Sequence, residues 1–208
     1  MLHLIKPPPS PGPLSPHTSA ALTRPSCLED QEILAKFSDP ASRNVAFNQL
    51  VRKYQSKVYW HVRKMVVDHD DADDLTQDVF IKVWNHLENF RQDAQLYTWL
   101  YRIATNECLS FLASKRRKFL LPLNDVGAEL TAKLEADESL AGDEVELKLQ
   151  KAILRLPDKQ RLVFNLRYYD DMPYEQMAEV TGTSVGALKA SYHHAVKKIE
   201  AWVNDEQP

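Results

Sequence analysis

The chain has 208 residues, a formal net charge of −3 and 26% charged side chains, a composition ordinary for a soluble globular protein of one domain or two small ones. No apolar run approaches the ~20 residues needed to span a bilayer, which excludes a membrane-spanning helix. The acidic balance excludes a uniformly basic nucleic-acid coat but leaves room for a local basic patch. Between Pro40 and Pro122 there is neither Gly nor Pro. Strand-rich folds draw their tight turns from those residues, so the chain reads as all-α.

Residues 1–26 hold seven of the 12 prolines and read as a disordered extension: a passive tail, a partner-docking segment or an overextended reading frame. Met1 to Ile5 is too short for a signal-peptide core. Cys27 and Cys108 lie far apart and lack paired-ligand spacing, which argues against a zinc site or a disulfide framework. The expected compartment is the reducing cytosol.

Residues 27–117 carry three helical stripes. Phe47, Leu50, Val51, Tyr54, Val58, Val62, Met65 and Val66 form the first; Ala72, Leu75, Val79, Val83 and Leu87 the second; Leu96, Trp99, Leu100, Ile103, Ala104 and Leu109 the third. Such spacing predicts a small bundle of amphipathic helices. Residues 118–146 then hold two Lys, no Arg and eight acidic residues and read as an acidic flexible linker. Helical signals return over 147–156. Pro157 opens a helix over 158–169, and Met172-Pro173 precedes another from Tyr174 to Val180. Thr181-Gly182-Thr183-Ser184 is a turn: Gly182 suits a left-handed position and Ser184 an N-cap. A last helix runs from Val185 to about Val203. The pair has helix-turn-helix form, equally compatible with inert packing.

No phosphate-cradling glycine loop, His-Glu zinc helix or serine elbow is present, so neither catalytic residues nor cofactors are expected. The cluster Asp68, Asp70, Asp71, Asp73, Asp74 and Asp78 fails as a calcium loop, lacking the alternating ligands, turn Gly and distal Glu. It suits instead the N-terminal dipole of a helix. Asp74, Gln77, Asp78, Ile81 and Asn85 lie opposite the second stripe, an acidic face with one aliphatic residue that can dock on a basic helix. Tyr97-Thr98-Trp99-Leu100-Tyr101-Arg102-Ile103, then Asn106 and Lys115-Arg116-Arg117-Lys118, offer stacking rings, a base-edge reader and phosphate-neutralising charge. Trp99 and Ile103 also suit a core. In the last helix Leu188, Tyr192, Val196 and Ile199 face inward, leaving Lys189, His193 and Lys197 outward, flanked by Ser191 and His194.

Taken together, Asp73-Ala-Asp-Asp-Leu-Thr-Gln-Asp-Val-Phe-Ile-Lys-Val-Trp84, Phe90-Arg91, Trp99-Leu-Tyr-Arg-Ile-Ala-Thr-Asn106, Leu156-Pro157, Arg161 and the helix pair from Tyr174 resemble the sigma-70 family of bacterial RNA polymerase initiation factors, in its extracytoplasmic-function (ECF) group. The resemblance covers residues 44–203. It implies two small helical domains: region 2 over 27–117 and region 4 over 147–205. Polymerase docking on the β′ clamp helices falls to Asp74, Gln77, Asp78 and Ile81. Minus-ten capture and melting fall to Phe90, Arg91, Tyr97, Trp99, Arg102, Asn106, Arg116 and Arg117. Minus-thirty-five readout falls to Ser184, Lys189, Ser191, His193, His194 and Lys197. The implied partners are core polymerase, including its β flap, promoter DNA and, as for many relatives, a membrane-anchored anti-sigma factor. The sequence departs from the family at Ser110, where an acidic residue is common, and at Ser191 and His194, where Arg is common. The contrasting readings are a stand-alone helix-turn-helix regulator and a metal-dependent hydrolase. Residues 73–106 favour the initiation factor, since neither alternative needs a docking face beside base-capturing aromatics.

Overall fold

The computed structural model describes residues 27–119, 131 and 144–205. The proposed extension (1–26) and nearly all of the proposed linker lie outside them. Among the described residues there are eight α-helices and no strand: α1 (Cys27–Phe37), α2 (Arg43–Val66), α3 (His69–His86), a 3-10 turn (Leu87–Asn89), α4 (Leu96–Phe119), α5 (Glu144–Leu154), α6 (Asp158–Tyr168), α7 (Tyr174–Thr181) and α8 (Val185–Asp205). The all-α expectation holds. The helix α1, which the three stripes did not separate, precedes the bundle. The segment predicted over 147–156 begins earlier and ends earlier, as α5.

The fold divides into two compact units at Ser56 and Lys57, inside α2. In the first, Ile33 and Phe37 of α1 and Ala46, Leu50 and Tyr54 of α2 are buried. The Tyr54 hydroxyl donates to Asp30 at 2.9 Å, and Lys53 Nζ reaches Glu29 and Asp30, each at 2.9 Å. Burial alone would lower the Lys53 pKa, but those two carboxylates outweigh it and raise it.

In the second unit α3 packs on α4, α4 on α6 and α7, and α8 on α5, α6 and α7. The expected second stripe is buried throughout, with Thr76 and Phe80 added to it. Of the third, Leu96, Leu100 and Ala104 are buried, while Trp99, Ile103 and Leu109 are half-buried; Tyr101, Cys108 and Leu112 complete the interior. The α2–α3 corner is tight. Val67 adopts φ +67°, a left-handed conformation costly for a β-branched residue. The Asp68 side chain then caps α3 by accepting from the Asp71 amide at 2.9 Å.

The α7–α8 turn follows its residues. Gly182 sits at φ +66°, and its amide donates to Ala178 O at 2.9 Å. Ser184 Oγ accepts from the Ala187 amide at 3.3 Å. A Cβ on Gly182 or on Gly186 would meet nothing within 4 Å, so backbone conformation alone decides each substitution. Gly182→Ala should cost about 1–2 kcal/mol, the left-handed penalty. Gly186→Ala, inside α8, should stabilise by about 0.5–1 kcal/mol. Thermal melts of the two variants, moving in opposite directions, check this.

Candidate nucleic-acid interface

Helix α3 turns its apolar side to α4 and leaves Asp74, Asp78, Ile81 and Asn85 exposed, with Gln77 half-buried between them. Ile81 is 49% exposed, one of three exposed large hydrophobics among the described residues, and it lies one turn beyond Asp78. Three of the other aspartates have partners within the fold. Asp68 caps, Asp71 meets Lys115 Nζ at 3.4 Å, and Asp73 lies 3.8 Å from His69 Nε2. Among the described residues no cluster of His, Cys, Asp or Glu could hold a metal ion.

The candidate base-capturing residues separate into two groups. Arg102 and Asn106 are exposed on α4, beside half-buried Trp99 and Ile103. Their spacings of three and four residues put them on one strip, which continues through Ser110 to Arg117, both exposed. Phe90, from the preceding loop, packs on Trp99 with ring centroids 5.1 Å apart. Arg91, Gln92 and Asp93 are exposed beyond it, and Gln92 takes φ +59°. The result is a two-ring platform with a guanidinium and a carboxamide along one edge, suited to stacking and edge recognition of unpaired bases.

Tyr97 and Arg116 are not on that strip. Tyr97 packs on Tyr101 with centroids 4.3 Å apart, and Lys57 Nζ lies 5.8 Å from its ring centroid. Burial, helped by the Asp170 charge, pushes its phenol pKa well above the ordinary value. Tyr101 is buried, donates to Lys57 O at 3.4 Å and lies against the His61 ring. Arg116 Nη1 donates to Asp158 Oδ2 at the start of α6. An i,i+4 pairing of rings and a basic run do not say which neighbour the fold provides.

Helix α8 presents Lys189, His193 and Lys197 as an exposed strip, with His194 exposed and Ser191 half-buried beside it. Its buried line is Leu188, Ala195 and Ile199; Tyr192 and Val196 are half-buried. Ser184 is exposed at the helix start, where free amides favour phosphate. Lys189 Nζ lies 5.6 Å from the Tyr174 ring centroid, which Arg167 approaches at 5.4 Å. The sequence reading missed an aromatic run, Tyr168–Phe164–Tyr192, stacked at 5.1 and 5.8 Å, with Tyr168 45% exposed.

Comparison with known proteins gives two family matches, Sigma-70 region 2 over residues 50–118 and Sigma-70, region 4 over residues 146–199. The RNA polymerase sigma-H factor of Pseudomonas aeruginosa is 33% identical, covering 83% of this chain and 92% of its own. The ECF RNA polymerase sigma-E factor of Escherichia coli is 32% identical over 78% of this chain and 87% of the relative. The ECF RNA polymerase sigma factor SigW of Bacillus subtilis is 29% identical over 77% and 90%. Among solved structures, CnrH in complex with the cytosolic domain of CnrY matches with TM-score 0.62 and 22% identity, covering 87% of this chain and 98% of that one. The sigma factor RpoE in complex with the anti-sigma factor NepR from Bartonella quintana matches with TM-score 0.59 and 19% identity, covering 77% and 98%. These two likenesses concern the fold.

Proposed function

Given that the chain belongs to the sigma-70 family, in its ECF group, and directs promoter-specific transcription initiation with RNA polymerase, we propose that three of its surfaces divide that work. Region 2 spans 27–117 and region 4 spans 147–205, with 118–146 as the linker. The α3 face of Asp74, Gln77, Asp78 and Ile81 docks on a basic helix of the polymerase, the β′ clamp. The α4 strip captures unpaired minus-ten bases: Phe90 and Trp99 stack, Asn106 reads an edge, and Arg91, Arg102 and Arg117 neutralise phosphate. Tyr97 supports Tyr101 beneath it. Helix α8 enters the major groove of the minus-thirty-five element, with Ser184 and the first amides on phosphate. The observation carrying this reading is the line Trp99–Arg102–Asn106, half-buried at Trp99 and exposed at Arg102 and Asn106, with Phe90 seated on Trp99. A stand-alone regulator has no use for a stacking platform next to an acidic docking face.

The exposed aromatic Tyr168 suits the β flap as a region 4 contact. An anti-sigma protein is a further proposed partner, supported by the solved relative bound to one.

Three sets of variants, one for each surface, test these assignments. Arg102→Ala and Asn106→Ala should impair promoter opening more than polymerase binding, each contact being worth about 1–3 kcal/mol. Permanganate footprinting should report the defect on a duplex promoter; single-stranded minus-ten DNA should bind both variants more weakly. Normal binding of that strand removes base capture from these residues. Asp78→Lys with Ile81→Ala should lower polymerase affinity by about 2–5 kcal/mol where the pair is desolvated, with helicity unchanged. An undiminished pull-down by the folded double variant rejects the docking face. Lys197→Ala should weaken binding to all promoters alike and lower the salt slope by about one unit. Lys189→Ala or Ser191→Ala should instead change the upstream sequence selected from a randomised minus-thirty-five library.

A further inference from the structure

Three helices of the second unit meet around one ring. Tyr174 is the first residue of α7, and Pro173 at the cap, with φ −61°, leads the chain into it. Arg167, in the last turn of α6, brings its guanidinium carbon to 5.4 Å from the Tyr174 ring centroid. Its Nη1 also donates to Asp171 Oδ1 and to Met172 O, both at 3.3 Å. Lys189, in the second turn of α8, brings Nζ to 5.6 Å from the same centroid. Tyr192, one turn further along α8, is half-buried. Burial raises its phenol pKa; Tyr174 adds to that rise and Arg167 opposes it. The two cations share the ring but differ in what else they meet. Arg167 has a carboxylate and a carbonyl. Lys189 is exposed, and among the described residues the Tyr174 ring is what its ammonium meets.

We infer that Tyr174 is a positioning residue for promoter choice: its ring fixes where the Lys189 ammonium stands, so that Lys189 reads one base edge instead of ranging over neighbouring phosphates. The inference deepens the proposed role of α8 and rests on it. The physical reason lies in the lysine. Its ammonium is a compact charge on a flexible four-carbon stem and meets a phosphate in many geometries, whereas the arginine fork is already organised for one. A cation within about 6 Å of a ring centroid is attracted by the ring quadrupole, and that attraction acts before DNA arrives. Fewer orientations then remain to be lost on binding. Phosphate contacts carry no sequence information and base-edge contacts do, so the ring acts on selectivity more than on affinity.

The placement of the ring supports that role. Tyr174 and Lys189 stand on two helices joined through Gly182, at φ +66°, so their contact depends on the angle which that turn sets. Tyr174 is half-buried, while Lys189, His193 and Lys197 form the exposed strip. On the other side in sequence, Arg167 ties the α6–α7 connection together through Asp171, which holds φ +44°, and the Met172 carbonyl. The ring is therefore held from α6 while it holds a side chain of α8. Two cations at one ring repel each other, and Asp171 offsets that for Arg167, leaving the Lys189 charge available to DNA.

Holoenzyme assembled with the full chain tests this on a randomised minus-thirty-five library. Tyr174→Leu removes the ring and keeps an apolar side chain; Tyr174→Phe keeps the ring and removes the hydroxyl. The position read by Lys189 is the one at which Lys189→Ala changes the selected base. There Tyr174→Leu should lower discrimination by at least about threefold, with far-UV circular dichroism unchanged. Tyr174→Phe should select as wild type does, and Tyr174→Leu should add nothing in a Lys189→Ala background. In the wild-type chain, independently of how any Tyr174 variant folds, NMR should show the Lys189 ε-methylene protons shifted upfield by the ring current, assigned by their loss in Lys189→Ala. Unchanged selection by folded Tyr174→Leu overturns the inference, as do ε-methylene protons at the ordinary lysine position. So does a Tyr174→Phe defect as large as that of Tyr174→Leu, since the hydroxyl is then the active group. If α8 does not read the upstream element, Lys189→Ala itself leaves selection unchanged while the ring-current shift persists, and the inference falls with the reading beneath it.

Discussion

Helix α4 must serve two sets of neighbours and still keep a side free, and the molecule is arranged around how its circumference is divided. Leu96, Leu100 and Ala104, with Tyr101, Cys108 and Leu112, are buried, and the helix packs against α3 on one hand and α6–α7 on the other. What is left is the strip from Trp99 through Arg102, Asn106 and Ser110 to Arg117. A helix of 3.6 residues per turn offers three to four such strips, so little of its surface is uncommitted. The stacking platform, the seating of Phe90 and the exposure of Asn106 all follow from that division.

Sequence periodicity was a good guide wherever a contact is local or apolar. The α3 stripe, the Gly182 turn and the Ser184 cap could be read directly, since 3.6-residue spacing and left-handed geometry are properties of a few adjacent residues. The α8 face was legible except at Ala195, which is fully buried although Tyr192 and Val196 beside it are not. A small residue fits where helices approach closely, and hydrophobicity ranks it low. Val67 ran against the local signal, because nothing in a Val-Val-Asp stretch announces a positive φ.

The long-range polar contacts could not be read at all. Lys64 and Asp170 are 106 positions apart, and His61 and Thr105 44 apart. Neither pair leaves a mark on periodicity. Tyr97 and Arg116 illustrate the same limit on the proposed site. Both belong to a credible nucleic-acid motif by residue type, and each is assigned by the fold to a protein neighbour, Tyr101 and Asp158. Residue type sets what a side chain can bind; only the tertiary arrangement sets what it meets.

The departures from the family pattern have opposite local signs, α4 losing a negative charge and α8 losing positive ones. Ser110 stands on the α4 strip between Asn106 and Arg117, where the resemblance implies an acid, so the strip bears Arg102 and Arg117 with no opposing charge along it. On α8 the residues standing where Arg is common are a half-buried serine and an exposed histidine, so its fixed cations are Lys189, Lys197 and Lys198, the last turned to Gln160 at 2.9 Å. Counterion release scales with the number of phosphates neutralised. On the proposed assignment of α8 to duplex and α4 to unpaired strand, the balance of phosphate attraction moves from the former toward the latter. On that proposed assignment, less fixed charge on α8 leaves a larger share of upstream recognition to groove contacts by Lys189, Ser191 and the histidines. Those contacts carry sequence information that phosphate contacts lack.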